Sequence, residues 1–300
     1  MLRPFSFLNR YKILSSKESS LQKEDYHLPE LILAAGQLAK LLQIGRHGHK
    51  RSGTGEDFWQ FRAYQPHEPA SFIDWKQSAR SPHEETLWVR ERERQTPRPF
   101  ILWVDSSPSM KWSSQKKLPT KYEVAIKSSL ALGQAALRAG ENVNALGQKH
   151  FLNGSHFLPK LAHHLTHNTS ELPLIELAAP HATLLIVSDF LWEESALETL
   201  LKSCKNRPGK TIFYVILDPA EYDFSYSGHL KFTSSEDPDA LILSANESLQ
   251  QDYQAELTRQ LDILAKYSHV MPHVFYQLHL TNKALLPNLL TLEALLGGKA

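Results

Sequence analysis

The sequence predicts an α/β protein with a doubly wound, mostly parallel sheet, preceded by a helix and a β-rich extension. Three apolar runs, residues 100–104, 181–187 and 210–217, end abruptly in polar residues that favour turns, as strands buried on both faces of a parallel sheet do. Stretches with helical periodicity separate these runs, and this alternation is typical of a sheet that helices cover on both faces.

The composition is that of a globular cytoplasmic protein. The 300 residues are 42% apolar, which is enough to bury one large core, or one core with a smaller module. No run approaches the roughly 18 apolar residues that a membrane span needs, and the start lacks the features of a secretory signal. The single cysteine, Cys204, excludes an internal disulfide framework and fits a reducing compartment. The net charge of +1 creates no global field that would attract nucleic acid.

Three segments divide the chain. Residues 1–27 are polar and are predicted to be a tail or a loosely docked arm. Residues 28–98 begin with an amphipathic helix that Gly45 ends, and continue as a β-rich segment. Residues 99–296 form the α/β domain. The apolar face of the first helix consists of Leu31, Ala34, Ala35, Leu38, Leu41 and Leu42.

A basic, glycine-rich loop occupies residues 45–55. Its glycines would let backbone N–H groups approach an anion, and Arg46, Lys50 and Arg51 would supply charge. It matches neither a Walker loop nor a dinucleotide fingerprint, since no strand precedes it and the Gly-Lys-Ser/Thr ending is absent. A phosphate contact and a plain solvated loop both remain open.

Short strands are predicted between residues 57 and 98, with an extended or turn segment at 71–75. In residues 87–94 the arginines would share one face of a strand and the glutamates the other. A strand charged on both faces predicts a sheet edge, or cross-strand pairing with nearby acidic residues.

The α/β domain is predicted to continue with further helices and strands. Asn153-Gly154 is a strong hairpin signal, so we expect two closely joined strands at residues 142–148 and 149–158. Residues 168–171 resemble the N-cap of a short helix. The remaining predictions are helices at 121–140, 159–167, 194–204, 246–268 and 284–296, and a last strand at 274–280.

The functional residues are expected at the carboxyl ends of the buried strands. Asp105, Ser107 and Ser109 follow the first of them, spaced two residues apart, at the edge where ligands bind in open α/β sheets. A carboxylate beside two hydroxyls suits a hard cation such as Mg²⁺. Asp189 follows the second strand. The competing interpretation is that the Asp-Ser turn only caps its own backbone.

Asp105, Ser107 and Ser109 resemble the metal-ion-dependent adhesion site of von Willebrand factor A-like domains, which has the pattern Asp-x-Ser-x-Ser after a hydrophobic strand. The resemblance implies that a threonine and a later aspartate complete the site, and Thr169 and Asp189 match these roles by position. It also implies Mg²⁺, Mn²⁺ or Ca²⁺ as the cofactor.

The upstream segments resemble a bacterial family, the domain-of-unknown-function family number fifty-eight. They are Gly45-Arg-His, Phe61-Arg-Ala-Tyr, Ile73-Asp-Trp, Ser78-Ala-Arg and Arg90-Glu-Arg-Glu. The chain departs from the family where Pro66-His-Glu-Pro69 replaces an acidic turn. The resemblance implies a metal-binding interaction domain paired with a MoxR-type AAA+ ATPase. Within these segments the structural candidates are Arg46, Arg62, Tyr64, Asp74, Trp75 and Arg80.

Our hypothesis is a non-catalytic, metal-dependent protein-interaction domain. Ser107 and Ser109 would ligate Mg²⁺ directly, Thr169 directly or through water, and Asp105 and Asp189 largely through waters. One coordination position would remain for an acidic side chain of the partner.

Two other functions remain open from the sequence. Asp105 could act as the nucleophile of a phosphotransferase, although the second acid usually found two positions on is Ser107 here. The basic loop 45–55, with Arg62 and Arg80 and nearby aromatic residues, could bind nucleic acid.

Two further clusters have structural interpretations. His163 and His167 lie one helical turn apart beside His164 and could share a zinc ion, but no third ligand is evident, and a solvated helix face is the alternative. Residues 73–75 and Arg80 are expected to form a buried ion pair and aromatic brace.

Overall fold

The computed structural model describes residues 12–15, 27–42, 49–53, 57–80, 86–168, 170, 172–224, 228–233, 241–245 and 247–297. The strands in these ranges are β1 (Lys12–Ser15), β2 (His49–Gly53), β3 (Asp57–Ala63), β4 (Trp88–Thr96), β5 (Pro99–Val104), β6 (Asn142–Ala145), β7 (Thr183–Ser188), β8 (Thr211–Leu217), β9 (Gly228–Thr233), β10 (Leu241–Ala245) and β11 (Val274–Leu280). The helices are α1 (Leu28–Leu41), α2 (Trp75–Ser78), α3 (Lys121–Arg138), α4 (Phe157–Thr166), α5 (Glu194–Lys205), α6 (Pro219–Asp223), α7 (Glu247–Val270) and α8 (Leu285–Gly297).

Five strands form a parallel sheet in the order β11-β8-β7-β5-β6. The three apolar runs are β5, β7 and β8, and every residue of β7 and β8 is buried. Helices cover both faces, so the predicted doubly wound α/β architecture is confirmed. Parallel strands joined by helical crossovers need apolar side chains on both faces, which is why these runs do not alternate with polar residues.

Two hydrophobic clusters lie on the opposite faces of this sheet. Phe100, Leu102 and Val104 of β5 pack with α1, α3, α4 and α8. The intervening Ile101 and Trp103 pack with α5 and α7. This alternation follows from the two-residue period of a strand. The core thereby fixes β5 from both sides, up to the residue before Asp105.

The helix α3 begins at a capping box. The Thr120 hydroxyl accepts a hydrogen bond from the Glu123 N–H at 3.1 Å, and the Glu123 carboxylate accepts one from the Thr120 N–H at 2.8 Å. Such reciprocal bonds satisfy donors that a helix start leaves free. Because the cap defines the first turn, Lys121 is held as the first helical residue.

The first helix, α1, belongs with the α/β core, although the sequence grouped it with the β-rich segment. Residues 1–45 and 99–300 form one compact unit, and residues 46–98 form the other. The Arg138 guanidinium of α3 donates to the carbonyl oxygens of Ala39 and Leu42 at the end of α1. Leu31, Ala35 and Ala39 are buried in the core beside α3.

The unit of residues 46–98 contains an antiparallel sheet in the order β2-β4-β3. The charged run therefore lies in the central strand β4, and the prediction of a sheet edge was wrong. Backbone pairing on both sides is compatible with charged faces, because pairing uses N–H and C=O groups rather than side chains. Part of the predicted 45–55 loop is β2, while residues 43–48 and 54–56 lie outside the described residues.

The predicted 71–75 segment is more helical than expected. A 3₁₀ turn covers Ala70–Phe72, Ile73 makes a single bridge to Val89, and α2 follows.

The predicted hairpin around Asn153-Gly154 is absent. Leu152 makes a single antiparallel bridge to Val143, and Gly154 adopts a left-handed φ of +80°. The Phe157 N–H then donates to the Gly154 carbonyl at 3.2 Å as α4 begins. Burial of Phe157 in the core favours the helix, so the turn residues deliver the chain into α4 instead of a second strand.

A third sheet, β1-β9-β10, is antiparallel. The sequence did not predict it, and β1 lies within the predicted tail of residues 1–27. Within the described ranges, none of the helices has both the length and the apolar character needed to cross a bilayer.

Candidate functional site

The carboxyl ends of three neighbouring strands, β5, β7 and β8, meet at one edge of the parallel sheet. Asp105, Asp189 and Asp218 follow these strands in turn. The chain runs from β5 to β6 in one direction and then crosses to β7 on the other side. Ligands in open α/β sheets bind where the strand order reverses in this way. Asp105 and Asp189 lie on either side of the reversal.

Asp105 is 1% exposed and joins its own loop to the neighbouring strand. Its Oδ1 accepts a hydrogen bond from the Ser107 N–H at 2.8 Å, and its Oδ2 accepts one from the Ser188 hydroxyl at 2.6 Å. The first bond closes a turn, as aspartate side chains commonly do. The second bond ties this turn to the end of β7.

Two serine hydroxyls and a carboxylate oxygen form a continuous run beside Asp105. Ser107 Oγ lies 2.9 Å from Ser109 Oγ, and the Ser109 hydroxyl donates to Asp189 Oδ2 at 2.9 Å. Both serines are partly exposed, so the run is open to solvent on one side. The structure thus brings together four of the five predicted metal ligands.

The oxygens of this run are of the type that a hard cation prefers. Their 2.9 Å separations are ordinary hydrogen-bond distances, and they are also close to the separation of about 2.9 Å between adjacent ligands in an octahedron around Mg²⁺. The described ranges contain no group of three His, Cys, Asp or Glu side chains placed to hold a metal ion. A metal here would therefore depend on the hydroxyls of Ser107 and Ser109.

A buried lysine adjoins the same carboxylate. Lys121 is 0% exposed, and its ammonium group lies 2.8 Å from Asp189 Oδ2 and 2.6 Å from Glu221 Oε1. The other carboxylate oxygen of Glu221 accepts a hydrogen bond from the Asp218 N–H at 3.0 Å. The ammonium therefore already supplies positive charge to the carboxylate that the sequence assigned to a metal.

Burial and charge act in different directions on the ionisable groups. Burial raises the pKa of Asp105, and the negative charge of Asp189 raises it further. Burial alone would also raise the pKa of Asp189, but the charge and hydrogen bond of Lys121 outweigh burial and lower it. Burial raises the pKa of Glu221 despite the charge of Lys121. The ionised form is therefore favoured most strongly at Asp189.

The loop after α4 approaches the Asp105 loop through its backbone. The Ser106 hydroxyl donates to the Asn168 carbonyl at 3.0 Å, and Asn168 Oδ1 accepts a hydrogen bond from the Ser170 N–H at 3.2 Å. Thr169, the fifth predicted ligand, lies outside the described residues. Of the residues beside it in the chain, Asn168 contacts the Asp105 loop through this bond from Ser106.

The upstream candidates form local contacts within residues 46–98. The Arg62 guanidinium makes a bidentate ion pair with Glu68, and this hydrogen bonding lowers the pKa of Glu68 to about 2. The Tyr64 hydroxyl donates to the Glu68 carbonyl at 2.7 Å. These contacts fasten the turn that follows β3. Arg46 lies outside the described residues.

The predicted buried brace is wrong. Asp74 is the N-cap of α2, where its carboxylate accepts a hydrogen bond from the Gln77 N–H at 3.0 Å. Trp75 is 62% exposed, and Arg80 is exposed as well. A carboxylate at the start of a helix is satisfied by the backbone, so Asp74 needs no cation from Arg80.

The predicted histidine cluster lies on α4 and the residue after it. The rings of His163 and His167 stack with centroids 4.1 Å apart. His167 Nδ1 lies 3.0 Å from the His163 carbonyl oxygen. Backbone contact therefore occupies one ring nitrogen of the pair.

Sequence reasoning missed Ser188, Lys121 and Glu221. A lysine at the first position of a helix faces the positive end of the helix dipole, so a buried Lys121 requires acidic partners, and this was a usable signal. Asp218-Pro-Ala-Glu221 has the spacing of a capping box, which predicts α6 but not the contact of Glu221 with Lys121.

Comparison with known proteins gives one family. The family model described as "Protein of unknown function DUF58" matches residues 60–262. No curated protein and no solved structure matches the chain.

Proposed function

We propose that this chain, which belongs to the protein family of unknown function DUF58, is a non-catalytic domain that binds a protein partner through a divalent metal ion. The observation that carries the proposal is the run Ser107 Oγ, Ser109 Oγ and Asp189 Oδ2, with 2.9 Å between successive oxygens. The run lies at the carboxyl edge of the sheet, where ligands of α/β proteins bind.

Each residue has a proposed role. Ser107 and Ser109 would hold Mg²⁺ directly, with Thr169 as a further ligand. Asp105 and Asp189 would act largely through bound waters, because Asp105 already accepts bonds from Ser107 and Ser188. The metal would supply a positive charge with an unfilled coordination position. The site also supports a finer proposal, that the α/β unit is a von Willebrand factor A-like domain.

The partner would offer an acidic side chain to that position. The resemblance described above suggests a MoxR-type AAA+ ATPase, and this pairing is part of the proposal. Exposed apolar side chains follow the Asn168 loop, at Leu172, Leu174 and Leu177. Exposed apolar side chains such as these are found at protein interfaces.

The geometry disfavours the phosphotransferase, and for nucleic-acid binding it bears on Arg62 alone. Both carboxylate oxygens of Asp105 accept hydrogen bonds and the residue is 1% exposed, so an approaching phosphate ester would meet no free nucleophile. For nucleic-acid binding, the guanidinium of Arg62 is engaged by Glu68. Arg46 lies outside the described residues, as do the side chains of Lys50 and Arg51.

Calorimetric titration of Mg²⁺ into metal-stripped protein tests the proposal. Wild type should bind one ion, and Asp105→Asn should bind it about 10- to 100-fold more weakly, as replacements of residues behind a metal ligand do. Asp252→Asn, an exposed aspartate of α7, is the matched control. Capture of a MoxR-type ATPase should then require Mg²⁺ and fail in EDTA. Equal capture in both conditions would refute a metal-dependent interface.

A further inference from the structure

Lys121 occupies a position that is costly for a cation. It is the first residue of α3 and is completely buried, and both the loss of water and the positive end of the helix dipole disfavour its charge. The carboxylates of Asp189 and Glu221, 2.8 Å and 2.6 Å away, offset this cost. Lys121 therefore depends on these two acids, because removing them would leave a buried ammonium without a counter-charge.

The ammonium shares one oxygen with the proposed metal ligands. Asp189 Oδ2 accepts hydrogen bonds from both Ser109 Oγ and Lys121 Nζ. A metal ion held at this oxygen, directly or through one bound water, would lie within several ångströms of the ammonium. Repulsion between a dication and an ammonium at that separation is strong even at the effective dielectric constant of a protein interior.

We infer that Lys121 is a tethered counter-cation that competes with a divalent metal ion for Asp189 and so sets the metal affinity of the site. This inference rests on the proposed function and adds its regulation. With Lys121 in place, the ammonium balances the negative charge of Asp189 without a metal ion. The remaining attraction for a cation comes from Asp105 and the serine hydroxyls. The lysine is a positioning residue that keeps metal binding weak and reversible.

Replacing the lysine by an apolar side chain of similar length tests the inference. Lys121→Met should bind Mg²⁺ at least about tenfold more tightly than wild type, because the competing charge is gone. Saturating Mg²⁺ should also raise the melting temperature of this variant more than that of wild type, because the ion would neutralise the stranded Asp189. Lys127→Met, which removes the same charge farther along α3, should leave Mg²⁺ affinity unchanged.

A second variant separates direct competition from a general change in charge. Lys121→Met with Glu221→Gln leaves the net charge of the chain unchanged and removes one of the two carboxylates that lose their cation in the first substitution. The double variant should fold and still bind Mg²⁺ at least about tenfold more tightly than wild type, as calorimetry would measure.

The outcomes distinguish this inference from the proposed function. Tighter binding by the double variant supports the inference, whether or not wild type binds. If wild type does not bind but the double variant does, the lysine blocks the site and the proposed metal dependence of the natural chain is wrong. Equal binding by wild type and double variant would overturn the inference and leave the proposed function standing. If no variant binds, both are overturned.

Discussion

Ser109 connects the two halves of the candidate site, because its hydroxyl lies 2.9 Å from Ser107 Oγ and donates to Asp189 Oδ2 at 2.9 Å. Ser109→Ala removes this oxygen and leaves a smaller side chain that fits the same space. We expect the substitution to weaken Mg²⁺ binding at least about tenfold, because even the removal of a contact behind a metal ligand causes a loss of that size. The melting temperature should change little.

The matched control for this prediction is Ser113→Ala. The Ser113 hydroxyl donates to the carbonyl oxygen of Gln115 at 3.0 Å, outside the oxygen run. Calorimetry on both variants would measure the difference. Wild-type affinity in Ser109→Ala would show that the hydroxyl is not a metal ligand.

Phe190, the next residue in the chain, helps to fix the backbone at Asp189. It has a left-handed φ of 54°, which costs a non-glycine residue of the order of 1 kcal/mol. Its ring packs against Trp192 at 5.0 Å and Phe213 at 5.5 Å between centroids, and its N–H donates to Ser188 Oγ at 3.0 Å. These contacts offset the backbone cost and fix the turn that carries the carboxylate.

At the scale of elements, patterns within one segment predicted the structure well. The buried strands β5, β7 and β8 and the long helices α3 and α7 were evident because their apolar spacing reports directly on burial. Predictions failed where tertiary contacts decide. Asn153-Gly154 forms a turn whose exit direction depends on burial of Phe157, and the position of β4 in its sheet depends on which strands pair with it.

The sequence predicted the part of the candidate site that follows from short-range patterns and from the parallel sheet. Asp105, Ser107 and Ser109 are close in sequence, and the parallel sheet required Asp189 to lie near them. The contacts of Lys121 with Asp189 and Glu221 join residues 68 and 100 positions apart, and no local pattern encodes such a contact. The hint in the sequence was that a lysine at the first position of α3 faces the positive end of the helix dipole and so needs acidic neighbours.

Substitutions at two glycines, one within α1 and one just before β8, are expected to have opposite effects on stability. In α1, a Cβ added at Gly36 would lie 3.7 Å from Leu158 Cδ1, which is an ordinary contact. Gly36→Ala should therefore stabilise the protein by about 0.8–1 kcal/mol, through helix propensity. Just before β8, a Cβ at Gly209 would lie 2.3 Å from the Ala182 carbonyl oxygen and 2.7 Å from that of Pro180.

Gly209→Ala should destabilise the protein by about 1–3 kcal/mol, because backbone atoms cannot move aside as a side chain can. Urea denaturation of the two variants beside wild type would measure both effects. If Gly209→Ala stabilised the protein, residues 180–182 would have to lie farther from residue 209 than these distances indicate.

At the scale of the molecule, the family match and the fold divide the chain differently. The matched residues 60–262 include the end of β3 and all of β4 in one compact unit, and β5 to β8 in the other. The strands that carry Asp105, Asp189 and Asp218 all lie inside the match, whereas β11 and α8 follow it. The candidate site thus belongs to the part shared with the family, and β11 completes the sheet beyond it.

His279 on β11 makes the stability of the whole chain depend on pH. It is buried beside the Tyr214 ring, and burial lowers its pKa from 6.5 to about 4. The unfolded chain binds a proton at this imidazole more readily than the folded chain does. The stability that the buried, neutral His279 contributes is therefore fully present above about pH 6.5 and is lost as the pH falls toward 4. The loss amounts to about 2–3 kcal/mol.

We expect His279→Gln, which cannot take up this proton, to lose less stability than wild type between pH 7 and about pH 4.5. Urea denaturation at both pH values would measure the free energy of unfolding. His269→Gln, an exposed histidine of α7, is the control and should follow the wild-type profile. An equal loss of stability in His279→Gln and wild type would mean that other groups, such as the carboxylates around Lys121, determine acid unfolding.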